Sequence, residues 1–144
     1  TSLVPLDRKS GVILGGEWGT YRADLERGLT SRALQEYTVA GVLLPDKRTL
    51  YALTADLTVL ELDLRTGLDM AAEFDLVPRG AFFFDHAAFA SDGQTLAVGK
   101  ETWDAHSGVV GSELRIYAAG PWRLRYQPLP YDRPLIDLAV SADG

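Results

Sequence analysis

Internal repetition constrains the fold of this chain more than any other feature of its sequence. When the 144-residue sequence is shifted against itself by about 39 residues, six identical pairs fall in one register. The pairs are Asp7 and Asp46, Leu14 and Leu53, Asp24 and Asp63, Leu25 and Leu64, Gly28 and Gly67, and Leu29 and Leu68. Further shifts of about 46 and 51 residues carry the pattern to Asp92 and Asp143. The chain is therefore predicted to consist of successive copies of one unit, each of which needs its neighbours to bury a core.

Each unit has the pattern of short strands separated by turns. In the clearest unit the runs are residues 38–44, 49–54, 59–64 and 70–76. Leucines alternate with charged residues in the third run, which is the period of two expected for a strand with one buried face. Residues 24–37 contain good helix formers as well, but the repeat aligns them with strands. We therefore predict strands in that segment, because tertiary repetition overrides local propensity.

The stretches LLPDKRTLYALTADLTVLELDLRTG and FASDGQTLAVG resemble the YVTN-type and tryptophan-aspartate-type repeats of β-propeller proteins. The resemblance implies an all-β fold of three four-stranded antiparallel blades plus the first strand of a fourth, in a single partial propeller domain over residues 1–144. The implied blade boundaries are about 1–37, 38–77, 78–129 and 130–144. The tryptophan-aspartate pair itself is missing at the strand ends, where Ala23-Asp24, Leu62-Asp63 and Tyr117-Ala118 stand. The resemblance therefore favours a bacterial-type relative.

Composition excludes several classes of function. The net charge is −6, with 20 acidic and 14 basic residues, which argues against nucleic-acid binding. The absence of cysteine excludes disulfides and thiolate metal sites. No run approaches the roughly 18 apolar residues of a spanning helix, so we predict no membrane span. The compartment stays open, with the bacterial envelope or secretion favoured over the cytoplasm.

Stacked blades must also bury their outer faces. If each end face of an open three-blade arc exposed about 500 Å² of apolar area, about 12 kcal/mol of burial would be lost per face. That loss is comparable with the whole stability of about 5–15 kcal/mol expected for a domain. We therefore expect the remaining blades to come from the same chain or from a second copy.

Candidate binding residues follow from the strand order. In a four-stranded meander, the turns between second and third strands and the connections between blades emerge at one rim. The third unit carries about eight extra residues there, within ETWDAHSGVVGS, and insertions on one face of a repeat protein frequently bind partners. The candidates are Trp103, Asp104 and His106 in the insertion, Arg79, Asp85 and His86 in the preceding connection, Trp18, and Asp137. The alternative is an exposed flap without a ligand, with His86 and Asp137 in hydrogen-bonded structural roles.

Three functional hypotheses remain. The favoured one is a propeller scaffold or binding module that engages a protein or small ligand through loops on one face. The second is a propeller domain of a larger enzyme, such as a serine peptidase gating domain or a quinone-dependent dehydrogenase subunit. The third is a lactonase or lyase with a metal in the channel. The sequence lacks the common catalytic and phosphate-binding motifs, so we predict no cofactor and no metal and favour a non-catalytic role for this segment alone.

Overall fold

In a computed structural model, every regular element of the described residues is a β-strand. The structure describes the chain except positions 1, 17–18, 66–67, 77–83, 85, 136 and 143–144. It describes the backbone alone at Ser2, Ile13, Leu29, Thr30, Arg32, Ala33, Thr102, Trp103, Val109 and Val110. Within that part of the chain there is no helix long and apolar enough to cross a membrane. The chain divides into two compact units, Thr1–Asp75 (unit 1) and Leu76–Gly144 (unit 2).

Unit 1 contains two four-stranded antiparallel sheets, each a meander in chain order. The first sheet consists of β1 (Ser2–Pro5), β2 (Ser10–Gly16), β3 (Gly19–Asp24) and β4 (Leu29–Leu34). The second consists of β5 (Thr38–Leu43), β6 (Thr49–Thr54), β7 (Thr58–Asp63) and β8 (Asp69–Asp75). The strand predicted within residues 24–37 is therefore confirmed, because β4 lies there and pairs with β3.

The two sheets of unit 1 pack through the apolar faces that the alternation predicted. One buried cluster combines Val12 and Leu14 of β2 with Leu50, Ala52, Leu60 and Leu62 of the second sheet, and it includes Leu68. Gly41 in β5 allows the close approach, because a Cβ atom there would lie 2.8 Å from Cδ1 of Leu14. The sheets are therefore stacked face to face, and neither could bury these leucines alone.

The repeated aspartates form the first turn of each sheet. Asp7 accepts hydrogen bonds from the amides of Lys9 (2.6 Å) and Ser10 (2.8 Å). Asp46 accepts the equivalent bonds from Arg48 (2.9 Å) and Thr49 (3.0 Å). In the third sheet, Asp92 accepts a bond from the amide of Gln94 at 2.8 Å. These backbone bonds hold the pKa of Asp7 and Asp46 below the usual value for aspartate. The most regular residue of the repeat is therefore a turn-forming residue.

Unit 2 contains one antiparallel sheet of five strands. They are β9 (His86–Phe89), β10 (Thr95–Asp104), β11 (Gly108–Ala118), β12 (Arg123–Leu124) and β13 (Leu129–Tyr131). Both β12 and β13 pair with β11, so they are two parts of one outermost strand that is interrupted at residues 125–128. Trp122 is buried next to this strand and contacts Phe89 edge to face, with ring centroids 5.8 Å apart.

The segment predicted to open a fourth blade, residues 130–144, has two different environments. Its beginning belongs to β13 of the third sheet, whereas the described residues 137–142 carry no strand pairing. Residues 138–141 nevertheless line a cavity of about 230 Å³ together with Ala97, Leu114 and Ile116 of β10 and β11. The described residues 137–142 therefore lie beside the third sheet without strand pairing.

Candidate functional site

The hairpin formed by β10 and β11 is longer than its counterparts in the other two sheets. β10 and β11 contain 10 and 11 residues, whereas β6 and β7 contain 6 each. β9 pairs with Leu96–Gly99, and the hairpin continues past that pairing to a turn at residues 105–107. The additional residues inferred from the repeat therefore lengthen two paired strands, and we call residues 100–112 the extended hairpin.

Asp104 forms the turn of the extended hairpin. Its Oδ1 accepts hydrogen bonds from the amides of His106 and Ser107, both at 2.9 Å, and from the Ser107 hydroxyl at 2.9 Å. These bonds hold the pKa of Asp104 below its usual value. Gly108 completes the turn at a φ of 81°, a conformation that favours glycine. The Asp104 carboxylate is thus occupied in the turn, while the exposed side chains of Ala105 and His106 are presented at its tip.

The structure describes some of the other predicted site residues and not the rest. His86 begins β9, is half-buried and lies opposite Gly99. Asp137 is exposed, and its Oδ1 accepts the amide of Leu138 at 2.8 Å. The backbone of Trp103 lies in β10, but its side chain is outside the described part, as are the residues Trp18, Arg79 and Asp85. Among the described residues, the structure therefore brings Asp104 and His106 together in one turn, and the predicted mixed pocket stays a prediction.

Sequence reasoning missed a buried hydroxyl that recurs near the start of the third strand of each sheet. Thr20, Thr58 and Ser112 are 0%, 5% and 3% exposed. Thr20 donates to the carbonyl of Glu36 at 3.1 Å, and Thr58 donates to Asp75 Oδ1 at 3.0 Å. We call these three residues the hydroxyl latches, because each bonds to the last residue of the outermost strand or to the chain just after that strand. The offset of 54 residues between Thr58 and Ser112 equals that between Leu60 and Leu114, which is the signal that could have found them.

Ser112 makes the most complete of these contacts. Its hydroxyl donates to the carbonyl of Arg133 at 2.8 Å and accepts the amide of Leu135 at 2.9 Å. The segment after β13 is thereby fixed to β11. Buried hydroxyls cost free energy unless they are hydrogen-bonded, so the latches define where each blade connection lies.

A second feature missed by sequence reasoning is a hollow at the connection between the two sheets of unit 1. It has a volume of about 210 Å³ and is lined by Glu36, Tyr37, Thr54, Ala55 and Asp56. We call it the rim hollow. Ala55 and Asp56 lie in a turn between a second and a third strand, the type of turn expected at the rim, and Tyr37 lies in the short connection between the two sheets. The sequence signal for Tyr37 is its position in a connection between two predicted strands, since connections usually run over the surface and carry contact residues.

A larger cleft, of about 570 Å³, lies at the opposite end of the first sheet. Charged side chains dominate its lining, but they contact one another. Lys9 Nζ lies 2.9 Å from Glu26 Oε1, and Asp24 accepts the amide of Arg27 at 2.9 Å. The equivalent cleft of the second sheet, about 300 Å³, contains Asp63, whose pKa falls to about 2 beside Arg65. These groups stabilise turns, so the clefts are weaker site candidates despite their size.

No group of three or more histidine, aspartate or glutamate side chains suited to a metal ion occurs among the residues that the structure describes. The aspartates named above are spread over separate turns, each with its own backbone donors. The described residues therefore include turn aspartates, buried hydroxyl latches, an extended hairpin and a rim hollow.

Comparison with known proteins identifies the fold. No protein-family model matches the chain, and no curated protein matches it. Among solved structures, the β-propeller domain of Cps50 (Swd1) from Myceliophteria thermophila has a TM-score of 0.59 at 16% identity, covering 94% of this chain and 44% of that one. Hydrazine synthase from Kuenenia stuttgartiensis has a TM-score of 0.51 at 12% identity, covering 90% of this chain and 48% of that one.

These similarities show the fold alone, because both identities are low. The chain is an all-β fragment of propeller blades, and it spans less than half the length of each of these structures. The prediction of stacked antiparallel blades is confirmed. The fold is that of a propeller scaffold in general, while the YVTN-type and bacterial interpretations rest on the sequence resemblance alone.

Proposed function

We propose that this chain is part of a propeller interaction module that binds a protein partner through its extended hairpin. The observation that carries the proposal is the length of β10 and β11 compared with the same strands in the other sheets. Those strands pair from Thr95 to Asp104 with one register shift between Thr102 and Trp103, and their turn is closed by Asp104. A turn ordered in this way loses little conformational entropy when it binds, which favours a contact role over a mobile flap.

The exposed residues and the form of the hairpin tip favour a protein over a small molecule as the partner. The exposed residues of the tip are Asp104, Ala105, His106 and Ser107. The tip is the turn of a two-stranded ribbon that continues past the pairing with β9, whereas small molecules bind in concave pockets of about 300–1,000 Å³. A projecting hairpin therefore suits insertion into a groove of another protein.

Site-specific photo-crosslinking tests this function. A photo-reactive amino acid at Ala105, an exposed tip position, should yield a discrete covalent adduct with a second protein in host cells. The matched control is Gln94, which is equally exposed in the turn at the other end of the same sheet. We expect no adduct from Gln94. Equal labelling from both positions, or no discrete adduct from Ala105, would contradict the proposal.

A shortened hairpin provides the second arm of the test. Replacing residues 101–111 with Ala-Asp-Leu, the turn of the second sheet, removes eight residues and keeps Ser112 in place. The circular-dichroism spectrum should stay that of a β-protein. Because the partner's contact is removed, co-purification of the protein that cross-links to Ala105 should be abolished.

We also propose that further blades of the same polypeptide cover the open sheet faces. Residues 138–141 already lie beside β10 and β11, while Leu129 and Tyr131 on the outermost strand are 46% and 53% exposed. Native mass spectrometry of the natural protein should detect a longer polypeptide. A stably folded 15.7 kDa monomer would contradict this proposal, and a dimer of that chain would identify a second copy as the cover.

A further inference from the structure

We propose that the rim hollow binds an arginine or lysine side chain from an extended basic segment of the protein partner. The cation would lie over the ring of Tyr37, between the carboxylates of Glu36 and Asp56. This inference rests on the proposed function, since it names the chemistry of the partner. It concerns a separate surface, in unit 1, and stands on three observations that do not involve the extended hairpin.

The first observation is an exposed aromatic ring on a fixed backbone. The Tyr37 side chain is 47% exposed, although its carbonyl accepts the amide of Ala55 at 3.2 Å. On its other side, the carbonyl of Glu36 accepts the Thr20 latch, whose hydroxyl also lies 2.6 Å from that of Thr38. The ring is therefore presented from an ordered position. A rigid tyrosine that loses little entropy on binding is the type of residue that dominates protein interfaces.

The second observation is the sign of the charge at the end of unit 1 where the rim hollow lies. The described connection at positions 35–37 and the described turn at positions 55–57 contain Glu36 and Asp56 and no lysine or arginine. The basic residues of unit 1 lie in turns at the other end or within strands β3 and β4, and they are Arg8, Lys9, Arg22, Arg27, Arg32, Lys47, Arg48 and Arg65. Opposite ends of the same sheets thus differ in charge. The residues that line the rim hollow include two carboxylates and no basic side chain, so a cation there meets charges of the opposite sign.

The carboxylate of Asp56 is also oriented by a neighbouring hydroxyl, because Thr54 donates a hydrogen bond to Asp56 Oδ1. Charged hydrogen bonds between a guanidinium and a carboxylate are roughly twice as strong as neutral ones. An aromatic face beside them adds cation–π attraction for the same group.

The third observation is size. The rim hollow measures about 210 Å³, below the roughly 300 Å³ at which small-molecule pockets begin. It can hold one long side chain and is too small to enclose a cofactor. Size and charge together favour recognition of a side chain that belongs to a peptide.

Fluorescence anisotropy with a defined peptide tests the inference. The probe is a labelled 12-residue peptide of four Gly-Ser-Arg repeats, added to the full-length natural protein at about 0.15 M salt. We expect saturable binding that weakens about tenfold in Tyr37→Ala and is retained in Tyr37→Phe, because the ring face is preserved. Asp56→Asn should weaken binding and flatten its salt dependence. Circular dichroism of each variant verifies folding.

Matched controls distinguish binding at the rim hollow from nonspecific attraction between opposite charges. Tyr131→Ala removes another exposed tyrosine, and Glu26→Gln removes an exposed carboxylate at the opposite end of the first sheet. Neither change should alter affinity, and a Gly-Ser-Glu peptide should not bind. The inference is overturned if the arginine peptide binds equally well to Tyr37→Ala and Asp56→Asn, or does not bind at all. If Ala105 still cross-links a partner in that case, the proposed function survives and only the cation site fails.

Discussion

Replacing Leu62 with alanine should lower the free energy of unfolding of unit 1 by about 3 kcal/mol. Leu62 is fully buried in the cluster that joins the two sheets, next to Leu50 and Leu60. The shorter side chain removes apolar contacts and leaves a cavity between two stacked sheets, which can close only by moving one of them. Urea denaturation of the full-length natural protein measures the change, with the midpoint falling and the slope unchanged.

The matched control is the cross-strand neighbour of Leu62. Met70 lies directly opposite Leu62 in the ladder between β7 and β8, but its side chain is 50% exposed. Met70→Ala should therefore change stability by no more than about 0.5 kcal/mol, as is usual for surface positions. If both variants lost equal stability, the stacking of the two sheets through Leu62 would be wrong.

Ser112→Ala should have the second largest effect, a loss of about 2 kcal/mol in unit 2. The substitution removes both hydrogen bonds of the latch and leaves the carbonyl of Arg133 and the amide of Leu135 without the Ser112 partner. Unpaired backbone groups near a buried site carry a desolvation cost. Thermal unfolding gives the stability change, and hydrogen exchange should become faster at the amide of Leu135.

Ser112→Thr serves as the conservative variant. The equivalent latches of the other two sheets are threonines, Thr20 and Thr58, so a threonine hydroxyl suits this position of the fold. We expect Ser112→Thr to retain most of the stability and the slow exchange of Leu135. If Ser112→Thr were as unstable as Ser112→Ala, packing rather than hydrogen bonding would govern this position.

The repeat predicted the architecture because two physical requirements of each blade determine which residues recur in it. Alternating leucines are needed wherever a sheet face is buried, as at Leu60 and Leu62, and an aspartate is needed wherever two turn amides must be satisfied, as at Asp7 and Asp46. Both requirements recur in every blade, so they are visible in one sequence. The strand in residues 24–37 was predicted for the same reason, against its local helix propensity.

Other features could not be predicted because they depend on contacts between distant segments. The outermost strand of the third sheet is interrupted at residues 125–128, although its alternating residues suggest one continuous strand. Pro128 offers no amide for the ladder at that point. The hydroxyl latches bond across 16 to 23 residues of sequence, so the residues around Ser112 do not reveal its partners, although its 54-residue offset from Thr58 marks the position.

The sequence predicted where the candidate site lies better than it predicted which chemical groups the site presents. Strand order identified the extended hairpin and the rim at which Asp56 lies, and the structure adds that Asp104 Oδ1 accepts hydrogen bonds within the hairpin turn. The exposure of Tyr37 depends on the register of two sheets, which a single sequence does not reveal.

One nuclear Overhauser measurement tests the stacking of propeller blades most directly. In unit 1, the δ-methyl protons of Leu14 in the first sheet and the α-protons of Gly41 in the second should give a strong cross-peak, because the two residues touch where the sheets meet. The account predicts that cross-peak together with cross-strand α-proton contacts within each sheet. Its absence, in a spectrum with sequential helical contacts over residues 24–37, would contradict the stacked-blade structure.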